Sequence, residues 1–246
     1  MRFYGLTDVG IKRENNEDAI SLPSETEGIK LFILADGMGG AKAGEKASQV
    51  AIKVIRDYIR LNFIKIERTK EEIEEVIRKA MVEANKKVFE LSMEYKEYSG
   101  MGTTVVIALI YRGTLYIGHI GDSRVYRLRQ SVLRQLTKDH SYVQELLRQG
   151  TITIEEAKNH PQKNVLLKAL GCDRDIVPDV ITKGFVKGDV ILLCSDGLTN
   201  MVDDKKIYEI IMKNMSDLNV ACKMLIDTAN QNGGADNISA IIISSN

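Results

Sequence analysis

The sequence predicts a layered α+β protein whose strands and helices come in separate blocks. Short apolar or alternating runs open the chain, return in its middle and close it. Two stretches with apolar residues at three-and-four spacing stand between those blocks. The connections within the middle block are too short to carry a parallel crossover, so its strands are expected to be antiparallel neighbours. Strands, two helices, strands, two helices and a strand make an α+β order, not a repeating βαβ one.

The opening strands are RFYGLTDVG, DAISL and KLFILADG. A first amphipathic helix follows, with Ala47, Val50, Ala51, Val54, Ile55, Tyr58 and Ile59 on one face. The second opens with Thr69 and has Glu72 three residues on, a capping-box pattern. Its apolar face is Ile73, Val76, Ile77, Ala80, Met81, Ala84 and Val88. TTVVIALIY, TLYIGHIG and RVYRLR then succeed one another across Arg112-Gly113 and Gly121-Asp122. Residues 141–160 read as short polar helices, with Ser141 and Gln144 as a capping pair. VILLCSDG is a strand, and residues 204–231 give two helices, the last with Leu218, Ala221, Met224, Leu225 and Thr228 on one face. NISAIIIS is the closing strand.

Composition narrows the function. The 246 residues, 44% hydrophobic and 28% charged, suit one globular domain with a sizeable core. Lys+Arg and Asp+Glu both number 34, so there is no electrostatic reason to expect nucleic acid or an anionic membrane as partner. No run reaches the ~18 apolar residues of a membrane span, and no basic-then-apolar leader follows Met1. The expectation is a cytoplasmic protein without membrane insertion. Cys172, Cys194 and Cys222 are odd in number and lack C-x-x-C spacing, so reduced thiols are expected rather than zinc or a disulfide framework. With only three histidines, a metal would be held by carboxylates, which favours Mg²⁺ or Mn²⁺.

The informative residues are aspartates beside apolar strands: Asp36 and Asp196, each followed by glycine, Asp122 after LYIGHIG, and Asp236 before NISAIII. A carboxylate there suffers desolvation unless its charge is compensated. Gathered at one sheet edge they would repel each other, and a divalent cation removes that repulsion. Adjacent glycines allow a sharp turn and present a carbonyl to the ion. Each Asp-Gly alone is better explained as a turn. Their recurrence points to a two-metal phosphoester hydrolase.

The ordered motifs TDVGIKRENNEDA, ADGMGG, GTT, GHIGDSRVYRLR, LTKDHS, HPQKNVLLKALG, LLCSDGL and GGADNISAI cover the whole chain. Together they resemble the type 2C (metal-dependent, PPM) serine/threonine protein phosphatases in their compact bacterial form. The resemblance implies a β-sandwich of two antiparallel sheets flanked by pairs of helices, an α-β-β-α arrangement. It implies one catalytic domain over residues 1–246 that removes phosphate from phosphoserine and phosphothreonine, with two Mn²⁺ or Mg²⁺ ions and a third, weaker site. Asp36 would bridge the two ions, the Gly37 carbonyl would bind one, and Asp196 and Asp236 the other. Asp18 and Glu17 would hold water on the ions, and Asp122 with Asp196 the third ion. Water activated by two ions attacks phosphorus directly, so no nucleophilic Cys or Ser is required. Arg13 matches the phosphate-clamping arginine, whose planar fork suits a phosphate.

One position departs from the pattern. Many eukaryotic relatives have a histidine two residues after the bridging aspartate, and this chain has Met38. The general acid is thereby left open between His140, His160 and a metal-bound water, while His119 in its apolar strand reads as a packed core residue. Residues 141–165 match a flap beside the active site. The implied partners are phosphorylated proteins, with a serine/threonine kinase of the same cell as counterpart, and the implied state is a monomer. An aspartate-nucleophile (haloacid dehalogenase-like) phosphatase would need Asp-x-Asp, and Asp36 is followed by Gly37-Met38. A degenerate binding module would be expected to lack one of the metal aspartates, and all are present.

Overall fold

The computed structural model describes residues 1–24 and 29–245. Strands β1 (Arg2–Asp8), β2 (Asp18–Ser21) and β3 (Lys30–Met38) precede helices α1 (Ala41–Phe63) and α2 (Lys70–Glu94) and a 3-10 turn at Lys96–Tyr98. The middle holds β4 (Gly102–Thr103), β5 (Val105–Tyr111), β6 (Thr114–Ile120), β7 (Arg124–Arg129) and β8 (Val132–Gln135). Short helices α3 (Tyr142–Arg148) and α4 (Ile154–Lys158) lead to β9 (Asp179–Gly184) and β10 (Val190–Cys194). The chain closes with α5 (Asp196–Thr199), α6 (Asp204–Lys213), α7 (Leu218–Gln231) and β11 (Ile238–Ser244).

The strands form two antiparallel sheets, ordered β1-β11-β10-β7-β8 and β2-β3-β5-β6-β9, with β4 paired to the end of β3. Alternation along each central strand feeds two apolar layers at once. Leu31, Ile33 and Ala35 face α1 and α2, while Phe32 and Leu34 face the other sheet. Ala240 and Ile242 of β11 pack toward α6 and α7, while Ile241 and Ile243 join the layer between the sheets. Burial on both faces is why these strands read as continuous apolar runs. The result is the expected sandwich, with one core between the sheets and one beneath each helix pair.

Helix α2 buries the seven residues read as its apolar face, and Asn85 with them. Its capping box is reciprocal: Thr69 Oγ1 accepts from Glu72 N, and Thr69 N donates to the Glu72 carboxylate. Ser141 likewise caps α3 by accepting from Gln144 N.

Three expectations are corrected. RVYRLR is not a sheet neighbour of TLYIGHIG: β6 pairs with β5 and β9, whereas β7 lies in the other sheet between β10 and β8. The short turn at Gly121–Ser123 crosses from sheet to sheet, and turn length alone does not separate that crossing from a hairpin. The buried face of α7 is Leu218, Ala221, Cys222, Leu225, Ile226 and Ala229. Met224 and Thr228 lie outside it, and the Thr228 hydroxyl donates to the Met224 carbonyl. Finally, β3 does not stop at Asp36 but runs on to Met38, and Asp196 is the first residue of the helical turn α5.

Candidate metal centre

Antiparallel register brings the acidic residues to one end of the sandwich. Asp18, at the start of β2, stands directly opposite Asp36 near the end of β3. β10 ends where β11 and β7 begin, with Cys194 opposite Ala240 and Arg124. Asp196 therefore leaves that edge beside Asp236, which precedes β11, and Asp122, which precedes β7. β6 ends opposite the start of β5, which sets Asp122 beside the Gly102–Thr104 segment.

Backbone and hydroxyl contacts fix this edge. Thr104 N and Thr103 Oγ1 both donate to the Asp36 carbonyl, at 2.8 and 2.9 Å. Thr104 Oγ1 and Ser123 Oγ, 2.7 Å apart, join the Asp36 segment to the Asp122 turn. Ser195 Oγ donates to Asp18 Oδ2 at 2.8 Å and accepts from Ser239 N at 2.9 Å. Asn237 accepts from Glu17 N through Oδ1 and donates through Nδ2 to the Val9 and Asn15 carbonyls. One amide thus ties the segment carrying Arg13 and Glu17 to the start of β11. At Gly37 a Cβ would overlap the carbonyl oxygen of Gly44 and lie 2.7 Å from that of Glu17, so only glycine lets α1 and the Glu17 loop close on β3.

The electrostatics are those of an under-compensated anion cluster. Burial, with the charges of Asp18, Asp196, Asp122 and Asp236, pushes Asp36 well above the usual carboxylate range. Burial raises Asp18 to about 7, although the Ser239 and Ser195 hydroxyls offset part of the effect. Burial and Asp196 raise Asp122 to about 8. Asp196 is raised by burial and by Asp236, and Glu17 chiefly by burial. One facing cation is Arg13, whose Nη2 donates to Asp236 Oδ2 at 2.8 Å, and Arg124 offsets part of the repulsion at Asp122 and Asp196. Both side chains of this pair remain accessible, Arg13 at 48% and Asp236 at 37%. Asp18 Oδ1 is buried without a hydrogen-bond partner. An all-carboxylate set with an orphaned buried oxygen fits hard divalent cations such as Mg²⁺ and Mn²⁺.

Asp36, Asp18, Asp196, Asp236, Asp122, Glu17 and Arg13 are therefore brought together, with Gly37 beside the Glu17 carbonyl. Met38 ends β3 opposite Gly102. The histidines are engaged elsewhere. His140 Nδ1 accepts from Gly121 N and its Nε2 lies 3.3 Å from Asp179, while His160 Nδ1 accepts from Gln162 N. His119 is fully buried, as read from its strand. Asn237, Ser195 and Thr104 were not singled out in sequence, where polar residues beside apolar runs are the available signal. The buried thiols of Cys194 and Cys222 are pushed up to about 12, unsuited to nucleophilic work. A groove of about 790 Å³ opens from Asp122 and Asp196 between α3–α4 and the Thr199–Lys205 segment.

A family model described as Protein phosphatase 2C matches residues 11–230. The chain belongs to that family. The phosphatase is 41% identical over 237 residues to the serine/threonine phosphatase stp of Listeria monocytogenes, covering 96% of this chain and 93% of the relative. It is 41% identical over 244 residues to the protein phosphatase PhpP of Streptococcus pneumoniae, covering 98% and 96%. Among solved structures it resembles the S. agalactiae serine/threonine phosphatase with a TM-score of 0.90 at 35% identity, covering 99% of both chains. It also resembles the PstP catalytic domain in complex with two manganese ions, with a TM-score of 0.83 at 33% identity, covering 98% of this chain and 96% of that one.

Proposed function

We propose that the aspartate cluster is the catalytic centre at which this protein phosphatase hydrolyses phosphoserine and phosphothreonine. The observation that carries the reading is the convergence of Asp18, Asp36, Asp122 and Asp196 on one sandwich end, each held above its ordinary pKa by burial and mutual repulsion. Asp36, the Gly37 carbonyl, Asp196 and Asp236 would hold two Mn²⁺ or Mg²⁺ ions. Asp18 and Glu17 would hold water on them, and Asp122 with Asp196 a third ion. Bound there, the ions supply a water acidic enough to attack phosphorus at neutral pH, and positive charge for the phosphoryl oxygens.

The chain's own groups do the remaining work. Arg13 sits at the accessible rim, oriented by Asp236, where its fork can exchange one carboxylate oxygen for two phosphate oxygens. Thr103 and Thr104 hold the Asp36 backbone, so its carboxylate stays aimed without reorganisation. Met38 carries no proton to give, and His140 and His160 already serve the backbone. We therefore assign the leaving-group proton to solvent water in the cleft.

The groove beside Asp122 and Asp196 is the proposed path for residues flanking the phosphorylated one. Residues 141–165 form its flap, with apolar Val143, Leu147 and Ile154 on the lining. The proposed partners are phosphorylated proteins and a serine/threonine kinase of the same cell, acted on by a cytoplasmic monomer of one domain. Among the described residues no helix is long and apolar enough to cross a membrane. Asp36→Asn and Asp236→Asn test the centre. Both are expected to stay folded, to bind Mn²⁺ more weakly by calorimetry and to release little phosphate from a phosphothreonine peptide. Full activity in either variant contradicts the centre.

A further inference from the structure

Away from the aspartate cluster, one group of side chains has no part in the proposed chemistry. His119, on β6, is fully buried, and neither of its ring nitrogens has a hydrogen-bond partner. A buried imidazole left in that state loses its hydration without replacement, and such groups usually have a reason. Asp179, the first residue of β9, stands directly opposite His119 in the antiparallel register. The His140 ring lies over that of His119, with centroids 4.5 Å apart and planes inclined by 29°. One donor atom from each of the three residues lies within 4.8 Å of the other two.

We infer that His119, His140 and Asp179 form a separate site for one borderline divalent cation, of which Zn²⁺ is the best match. Two imidazoles and one carboxylate are a zinc donor set, with a fourth position left for water, whereas Mg²⁺ prefers oxygen throughout. Burial holds His119 down at about 3, so its ring is neutral and offers a lone pair. The Asp179 side chain is 45% exposed, which gives an ion a way in. A purely structural account explains His140, which accepts from Gly121 N at 3.1 Å and faces Asp179 at 3.3 Å. It leaves His119 without a well-formed hydrogen bond at either nitrogen, although the Gly121 backbone lies within electrostatic reach of the ring.

Binding has a local consequence. Because His140 Nδ1 accepts a hydrogen bond, the neutral ring carries its proton on Nε2, toward Asp179. An ion taking Nε2 requires that proton to leave Nε2 and one to be gained at Nδ1, by exchange with solvent. The ring stays neutral, but Gly121 N loses its acceptor. Gly121 directly precedes Asp122, and His140 directly precedes Ser141, whose bridge to Leu166 closes the base of the α3–α4 segment. The ion would therefore loosen the tie between that base and the Asp122 turn.

The test is imidazole nitrogen NMR on intact, histidine-labelled protein titrated with Zn²⁺ and, separately, with Mg²⁺. The aspartate cluster contains no histidine, so the readout is independent of the catalytic proposal. Zn²⁺ is expected to shift one ring nitrogen each of His119 and His140 while His160 stays put, and Mg²⁺ to shift none of them. Asp179→Asn, at a half-buried position, should weaken the Zn²⁺ effect about tenfold or more with the melting temperature little changed. Ring signals of His119 and His140 indifferent to Zn²⁺, or an equal response in folded Asp179→Asn, would overturn the site.

Discussion

Asp18 and Asp36 face each other across two strands, and like charges so placed weaken a sheet unless a counter-charge intervenes. Asp18→Asn keeps the shape and an oxygen for the Ser195 hydroxyl while removing one charge. Without metal at pH 8 it is expected to raise the melting temperature by about 2–4 °C or more, and to weaken Mn²⁺ binding. Scanning calorimetry of both proteins in chelator checks the first half. Arg13 supplies the opposite case, a cation shared between carboxylate and substrate. Arg13→Lys keeps the charge but loses the fork, so kcat/KM on phosphopeptides should fall about tenfold or more, with kcat less affected. An unchanged kcat/KM removes Arg13 from the site. At this scale the aspartates were legible, because a carboxylate beside an apolar strand needs an explanation on its own. Asn237 and Ser195 were not, because their partners are backbone and side-chain groups up to 228 positions away.

The elements that place these residues depend on local rules of differing reach. The capping box of α2 stands far from the chemistry in the fold, and Thr69→Ala should cost about 1 kcal/mol of stability with kcat/KM unchanged. Equilibrium denaturation and steady-state rates measured on one preparation separate those two outcomes. Gly10 is the contrasting position. It has φ +79°, and a Cβ there would overlap the Asp236 carbonyl oxygen. Gly10→Ala is therefore expected to cost more than about 1 kcal/mol and also to displace Asp236, so that Mn²⁺ affinity falls with stability. The face of α2 was legible because every third or fourth residue is apolar from Ile73 to Val88, over more than four turns. The partner of β7 was not, because Gly121-Asp122-Ser123 suits a hairpin as well as a step between sheets, and only packing against β10 decides. The face of α7 was half legible: Cys222, Ile226 and Ala229 complete a stripe that Met224 and Thr228 flank.

For the whole molecule, the two sheets and their helix layers act as a frame that forces repelling carboxylates together. A group whose folded pKa lies above its ordinary value stabilises the fold while protonated, and that contribution is lost as pH rises through the folded pKa. Asp18 and Asp122 start from 3.8 and are raised to about 7 and about 8. The metal-free protein should accordingly lose stability from about pH 4 to pH 8, and added Mg²⁺ or Mn²⁺ should restore it most at the alkaline end. Melting temperatures with and without metal across that range check the sign, and a metal-free protein that gains stability toward pH 8 opposes it. Catalysis by cations held on these aspartates is read from phosphate release from a phosphothreonine peptide. Chelator-stripped protein is titrated with Mn²⁺ or Mg²⁺ while its fold is monitored. Turnover is expected to be absent without metal and saturable with it. Turnover that persists in the stripped protein, or none with either metal from folded protein, would contradict catalysis by these cations.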